Sequence, residues 1–179
     1  MFRFFRRASN RAIVDALYGA VMAAARAPAL YLSLGAPDTA EGRFAMLVCH
    51  AGGVLRRLHA LGEAGDSRAA ELGKDLSDAI FRHLDHMLRE QGVGDLAVPK
   101  RMKRLAEQFY GSLAAYEQAL AGEDERLAEA LARNMLGEAG QAAGLRPLAA
   151  HIRAVYAAMA GARIEDFVAA TPPFPLPGR

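Results

Sequence analysis

The chain has 179 residues, of which 53% are hydrophobic and 23% are charged, and its formal net charge is +2. This length suits one domain that buries about 70% of the surface of the unfolded chain. The single cysteine, Cys49, excludes an internal disulfide and a cysteine-based zinc site, and the small net charge gives no indication of DNA as a partner.

The first ten residues, MFRFFRRASN, combine three phenylalanines with three arginines. The apolar segment that follows carries Asp15 and Arg26, so it is too polar for a transmembrane anchor and lacks the features of a secretory signal. Aromatic side chains among cations are typical of contact with an anionic lipid interface, and a short disordered tail is the alternative. We therefore treat residues 1–10 as a basic, aromatic leader.

The first helix of the domain is predicted to run from Ser9 or Asn10, either of which is a suitable cap, to about Arg26. Pro28 is expected to close it, because proline removes a backbone donor. A mostly apolar connector over residues 29–36 should follow and pack against the domain.

The second helix is predicted to begin at a cap at Asp38 or Thr39, with Glu41 in the position of a capping-box partner. Its interior contains Gly52 and Gly53, and a glycine inside a helix costs roughly 1 kcal/mol relative to alanine. These two glycines therefore predict a close neighbouring helix.

Two further helices, joined by a turn that contains Gly92 and Gly94, occupy the middle of the chain. Apolar residues recur along both at three- and four-residue spacing, and polar residues fill the opposite faces. On the first of the two the apolar stripe is Leu72, Leu76, Ile80, His83, Leu84, Met87 and Leu88. On the second, which starts near Pro99, it is Met102, Leu105, Phe109, Leu113, Tyr116 and Leu120.

Four cations occupy the first turns of the helix that starts near Pro99, namely Lys100, Arg101, Lys103 and Arg104. A helix amino end already carries about half a positive charge, so stability alone favours acids there. The cluster therefore indicates an anionic partner, and a solvated run of surface charge is the alternative.

The carboxyl-terminal part is predicted to hold two more helices and a tail. Three acids at residues 123–125 suit a helix start, a last long helix runs from near Pro147 to Gly161, and a short turn follows at residues 164–168. The final segment, TPPFPLPGR, favours an extended path as a loose tail or as a strap across the domain. We predict an all-α, bundle-like domain of about six helices over residues 11–170, with a proline-rich tail over residues 171–179.

The sequence contains no convincing arrangement for catalysis, a cofactor or a metal. The run GVGDLA has the letters of a dinucleotide fingerprint, but it follows a helix where that motif requires a strand. His83 and His86 have no evident third ligand, and the place of His83 in the apolar stripe favours a hydrogen-bonded core histidine. Cys49 and His50 are adjacent on a helix and point about 100° apart, so they do not form a nucleophile pair. We expect a binding protein and no enzyme activity.

Two stretches resemble one known family. They are LREQGVGDLAVPKRMKRLAEQFYG, which begins at Leu88, and AARAPALYLSLGAPDTAEGRFAMLVCH, which runs from Ala24 to His50. Both resemble motifs of the ubiquinol-cytochrome c chaperone family, and they occur in the same order and with similar spacing as in that family. The resemblance covers about residues 11–160.

The resemblance implies an assembly chaperone that binds newly made cytochrome b and supports biogenesis of the cytochrome bc1 complex. Mitochondrial members of the family act with a partner subunit and near the ribosome, and both contacts stay open for this chain. We expect a cytoplasmic protein, or one at the cytoplasmic face of the inner membrane. A peripheral module that binds anionic membrane or RNA, without a specific client, is the alternative, and a weaker one is a haem or metal carrier that uses His83, His86 or Met102.

Eight residues are the candidates for partner binding. Arg43, His50 and Arg57 share one flank of a helix at seven-residue spacing, which would suit contact with an anion. The others belong to the resembling stretch that begins at Leu88. The full set is Lys100, Arg101, Lys103, Arg104, Arg43, His50, Arg57 and Tyr110.

Overall fold

The computed structural model describes the backbone of residues 2–137 and 141–178 and the side chains of residues 10–137 and 141–178. All regular structure in these ranges is helical, which confirms the predicted all-α class. The helices are α1 (Phe2–Ala25), α2 (Pro28–Leu32), α3 (Ala40–Glu63), α4 (Ser67–Glu90), α5 (Val98–Leu120), α6 (Asp124–Leu136), α7 (Arg146–Gly161) and α8 (Ile164–Val168), with a 3₁₀ turn (Ala142–Leu145) before α7. Six of these, α1 and α3 to α7, are long helices, as the prediction of about six expects.

The start of the chain differs from the prediction. α1 begins at Phe2 and not at Ser9 or Asn10, so the backbone of the predicted leader continues into the first helix of the domain. Met1 and the side chains of residues 2–9 lie outside the described part of the structure, and the leader's lipid contact stays a prediction. Pro28 follows the end of α1 as expected, but it also opens α2, because proline is tolerated in a first helical turn.

α3 is the central helix of the domain. It packs against α1, α4, α5, α6 and α7, and every residue from 45 to 54 is buried. A helix that is buried on all sides needs small residues where its neighbours approach closely. At Gly52 an added Cβ would lie 2.5 Å from both Leu113 Cδ1 and the Tyr156 hydroxyl oxygen, on α5 and α7. The close neighbour that the two glycines predict is therefore confirmed.

Side-chain contacts show the directions of the helices around α3. α3 and α5 run parallel. Phe44, in the second turn of α3, meets Phe109 at the middle of α5, with ring centroids 6.5 Å apart, and Gly52 meets Leu113 farther along both helices. α3 and α4 run antiparallel as the two arms of a helical hairpin.

α1 and α4 run parallel to each other. Asn10 Nδ2 donates to Asp75 Oδ2 at 2.6 Å, and the Tyr18 ring stacks on His83 at a centroid distance of 4.1 Å. α1 and α4 therefore finish where α3 and α5 begin. We call this the α4–α5 end; it comprises α2, the loop of residues 91–97 and the first turns of α3 and α5.

The proline-rich tail lies across the domain as a strap and not as a loose segment. Pro172 is buried, and Phe174 packs against the core with its ring centroid 5.6 Å from that of His50. Leu176, by contrast, is 62% exposed. The strap thus covers the middle of α3 through Phe174.

The entry into α3 generates a stability prediction. An added Cβ at Gly42 would overlap the carbonyl oxygen of Pro37, which is backbone and cannot move aside cheaply, whereas nothing lies within 4 Å of a Cβ at Gly111 in α5. We expect Gly42→Ala to destabilise the domain by about 1 to 3 kcal/mol through overpacking. Gly111→Ala, the matched control, should stabilise it by up to about 1 kcal/mol, because alanine is the better helix former. Urea unfolding measures both, and equal midpoints for Gly42→Ala and wild type would contradict the packing.

Candidate partner-binding surface

The four predicted cations lie exposed on the first two turns of α5. Its N-cap, Ala97, makes no side-chain capping bond, and the first turn contains no acid. Of these four cations, only Lys103 has an ion-pair partner among the described side chains, with its Nζ 3.9 Å from Glu107 Oε1. The positive charge of this helix start is therefore left almost uncompensated by α5 itself.

The acids nearest in sequence, at the end of α4 and in the following loop, are already paired. Arg89 Nε lies 2.7 Å from Asp85 Oδ2, and the same guanidinium also contacts Asp95. His86 Nε2 lies 3.1 Å from Glu90 Oε1. These carboxylates are turned toward α4, so they do little to neutralise the cations on α5.

Aromatic side chains hold α5 against α4 below the cations. The Phe81 ring lies 5.4 Å from Phe109 and 5.7 Å from Tyr110, measured between centroids. Phe109 is buried, while Tyr110 is 53% exposed. Lys103 and Tyr110, seven residues apart, share one flank of the helix. We call Lys100, Arg101, Lys103, Arg104 and Tyr110 the α5 cation surface, and its backbone is fixed by the core.

Two of the remaining candidates lie away from this surface. Arg43 is at the start of α3, at the same end of the domain, and its Nε donates to Asp38 Oδ1 at 2.6 Å. This ion pair raises the pKa of Arg43 and lowers that of Asp38, chiefly through the hydrogen bond. Arg57 Nε donates to the carbonyl oxygen of Ala162 at 2.8 Å, near the end of α7. About 20 Å of helix separates Arg43 from Arg57, so the structure does not bring them together.

The expectation that His50 contacts an anion needs correction. Its ring is 1% exposed and lies between His151 and the strap residue Phe174, so a partner cannot reach it in this conformation. Nδ1–H donates to the carbonyl oxygen of Met46 at 2.8 Å. Burial lowers the pKa of His50 to about 4, against a smaller opposing effect of that hydrogen bond. His50 is a neutral core histidine.

The prediction that His83 is a core histidine is wrong. The side chain is exposed and stacks on Tyr18, while its Nδ1 bonds to the carbonyl oxygen of Ala79 at 2.8 Å. Cys49 is fully buried, and burial raises the pKa of its thiol. Within the described residues, no group of three or more His, Cys, Asp or Glu side chains is placed to hold a metal ion.

One segment has the length and composition of a membrane span. This segment, Asn10–Leu32, has a mean hydropathy of 1.3, and 28% of its most apolar part is buried in the domain. Core helices and signal sequences pass the same test, so this observation is weak support for a membrane span.

Comparison with known proteins gives a family and a similar structure. The sequence profile described as "Ubiquinol-cytochrome C chaperone" matches residues 32–174. The chain is also similar to the crystal structure of the Cbp3 homolog from Brucella abortus, with 35% sequence identity and a TM-score of 0.80. That similarity covers 94% of this chain and 93% of the other. A search of curated proteins found no match.

Burial of His50 predicts a loss of stability in acid. Its pKa is depressed to about 4 in the folded domain, so the unfolded chain, in which the value is about 6.5, takes up the proton first. The contribution of His50 to the free energy of unfolding is complete above pH of about 6.5 and is lost as the pH falls toward 4, by about 3 kcal/mol in total.

The matched variant is His50→Asn, which keeps an N–H donor near the Met46 carbonyl and removes the titration. We expect the unfolding free energy of the variant to fall less steeply between pH 7 and 4 than that of the wild type, as measured by urea titrations at each pH. Parallel pH curves for the two proteins would show that His50 does not carry this effect.

Proposed function

The chain belongs to the ubiquinol-cytochrome c chaperone family, and on that premise we propose that it binds newly made cytochrome b during assembly of the bc1 complex. The family profile supports the role in assembly, and the similarity to the Cbp3 homolog extends over nearly the whole chain. We place the protein in the cytoplasm or at the cytoplasmic face of the inner membrane. The family profile of a chaperone supports a role in binding.

The observation that carries this proposal is the α5 cation surface. Positive side chains at a helix amino end oppose the helix dipole and reduce stability by a few tenths of a kcal/mol to about 1 kcal/mol each. Of the described acids around them, only Glu107 pairs with the cluster, 3.9 Å from Lys103, while Asp85 and Asp95 pair with Arg89. A surface with this arrangement is suited to an acidic segment of a client protein, which supplies the missing negative charge.

Each part of the surface has a distinct role in such a contact. Arg101 and Arg104 carry planar guanidinium groups that can bind carboxylates through two parallel hydrogen bonds. The half-exposed ring of Tyr110 offers apolar area together with a hydroxyl group. Because Phe81 and Phe109 hold that ring from below, little side-chain entropy is lost on binding.

Charge reversal on α5 tests the client surface. We expect Arg101→Glu with Arg104→Glu to lower the recovery of cytochrome b in affinity purification by roughly tenfold and to lower the amount of assembled bc1 complex, because two charged contacts become repulsive. The fold should keep its stability, since acids are favoured near a helix amino end. The experiment uses the full chain in cells with a functioning bc1 complex.

The matched control reverses two exposed cations outside the surface, Lys74 on α4 and Arg133 on α6. Lys74→Glu with Arg133→Glu changes the net charge by the same amount and should leave cytochrome b recovery unchanged. Equal recovery of cytochrome b with wild type and with the Arg101/Arg104 variant would show that the four cations are solvated surface charge and do not bind the client. A similar loss in both double variants would show a net-charge effect in place of a docking surface.

A further inference from the structure

Two leucines stand out as the most exposed large hydrophobic side chains of the described residues. Leu96 is 99% exposed and Leu32 is 84% exposed. Leu96 lies in the loop of residues 91–97 between α4 and α5, and Leu32 is the last residue of α2. Neither is used by the client surface, and a leucine held in water without a partner loses the free energy that its burial would release.

Both leucines lie at the α4–α5 end of the domain. α2 follows α1 directly, and the Tyr31 hydroxyl donates to the carbonyl oxygen of Ala25 at 2.7 Å, which holds α2 at the end of α1. Since α1 and α4 run parallel, the end of α1 lies beside the end of α4 and therefore beside the loop that carries Leu96. Exposed apolar side chains from α2 and from the α4–α5 loop thus mark one end of the molecule.

Cations accompany both leucines at this end. Lys100 and Arg101 lie within about one and a half turns of Leu96 along the chain, and Arg26 and Arg43 flank α2. Two acids of the same end are paired with arginines, Asp95 with Arg89 and Asp38 with Arg43. Glu90 lies beside His86, and Glu41 in the first turn of α3 has no ion-pair partner among the described residues, so the cations of this end still outnumber its acids. The end therefore presents protruding leucines within a positively charged rim.

We propose that the α4–α5 end docks on an anionic lipid bilayer, with Leu96 and Leu32 entering the boundary between headgroups and acyl chains. A bilayer accepts single protruding leucines without a shaped pocket, whereas anchor residues of a protein interface seat in well-packed pockets of the partner. Each lysine or arginine close to the membrane surface raises the affinity of a protein for anionic lipid by about fivefold. This goes beyond client binding and does not depend on it.

The predicted lipid contact of the leader is a separate hypothesis at the opposite end. α1 runs from Phe2 to Ala25, which places the start of α1 about 35 Å from the α4–α5 end. A flat membrane that receives Leu96 end-on does not reach the leader. The two contacts are therefore separable by variants at either end.

Vesicle binding by the purified full chain tests the proposal. The probes are vesicles of phosphatidylcholine alone and vesicles in which part of it is replaced by phosphatidylglycerol. We expect co-sedimentation with the anionic vesicles only, weakened by added salt. Leu96→Ser should weaken it by about tenfold, the effect of one leucine that no longer leaves water, and Leu32→Ser should act in the same direction. Leu176→Ser, which alters an exposed leucine of the strap, is the matched control and should bind as wild type.

Three results would overturn the proposal. The first is wild-type protein that does not bind the anionic vesicles, and the second is Leu96→Ser protein that binds them as wild type does. The third is binding that is lost on deletion of residues 1–7 and kept in Leu96→Ser, which would assign the membrane contact to the leader. Cytochrome b recovery is measured in parallel: normal vesicle binding by Leu96→Ser with loss of cytochrome b would make Leu96 a client contact instead.

Discussion

The burial of α3 on all sides is the constraint on which the rest of the domain depends. Five helices pack around it, and ten consecutive residues, 45–54, are removed from solvent. α5 and α7 come this close because Gly52 and Gly53 lack side chains, and Gly42 gives the same room to the carbonyl group of Pro37 before the helix. The enclosed segment has no face left for a partner, so binding must use the exposed ends of α3 or the outer helices. The resembling stretch from Ala24 to His50 accordingly has a structural role. Gly42 contacts Pro37, and Phe44 packs on Phe109.

Arginines in this domain divide into those that tie helix ends together and those that face solvent. Arg153 on α7 donates to Asp124 at 2.7 Å and to the carbonyl oxygens of Leu120 and Gly122 at 2.8 and 2.7 Å, so one guanidinium joins the end of α5 to the start of α6. Arg57 does the same for the end of α7. The last carbonyls of a helix lack internal partners and carry partial negative charge, which explains both contacts. No such contact to backbone carbonyls holds the cations of α5 in the described structure, and this difference separates a structural arginine from a candidate binding residue.

Helical periodicity predicted correctly the burial of residues on the apolar face of their own helix. It was wrong for residues whose burial depends on how a neighbouring helix packs. The stripe residues Phe109 and Tyr116 are buried as their spacing predicts, and Thr39 caps α3 through a bond from Gly42 N at 3.1 Å. His50 was placed on a polar flank, but α7 and the strap cover that flank. His83 was placed in the core, but α1 covers it with only the Tyr18 ring. The bonds of Arg153 reach 29 to 33 residues back along the chain, to the junction of α5 and α6, and no spacing rule indicates them. Partner identity rests on family resemblance, because charge and exposure alone are compatible with several anionic partners.

The α4–α5 end can carry exposed leucines and uncompensated cations because its packing is separate from the main core. Leu88 and Val98, which close the base of the loop, are buried yet lie outside the main core cluster. Changes in the loop therefore cost little elsewhere, and the loop is free to serve binding. If this end rests on a bilayer, α5 rises away from it, and Tyr110 lies about 15 Å farther along the helix than Lys100. Lys100 and Arg101, nearest the loop, would then be within reach of both headgroups and client, while Lys103, Arg104 and Tyr110 would face only the parts of a membrane-bound client that project from the lipid. In that arrangement, which joins our two proposals, one helix would both position the chaperone on the membrane and present the client surface at a fixed height above it.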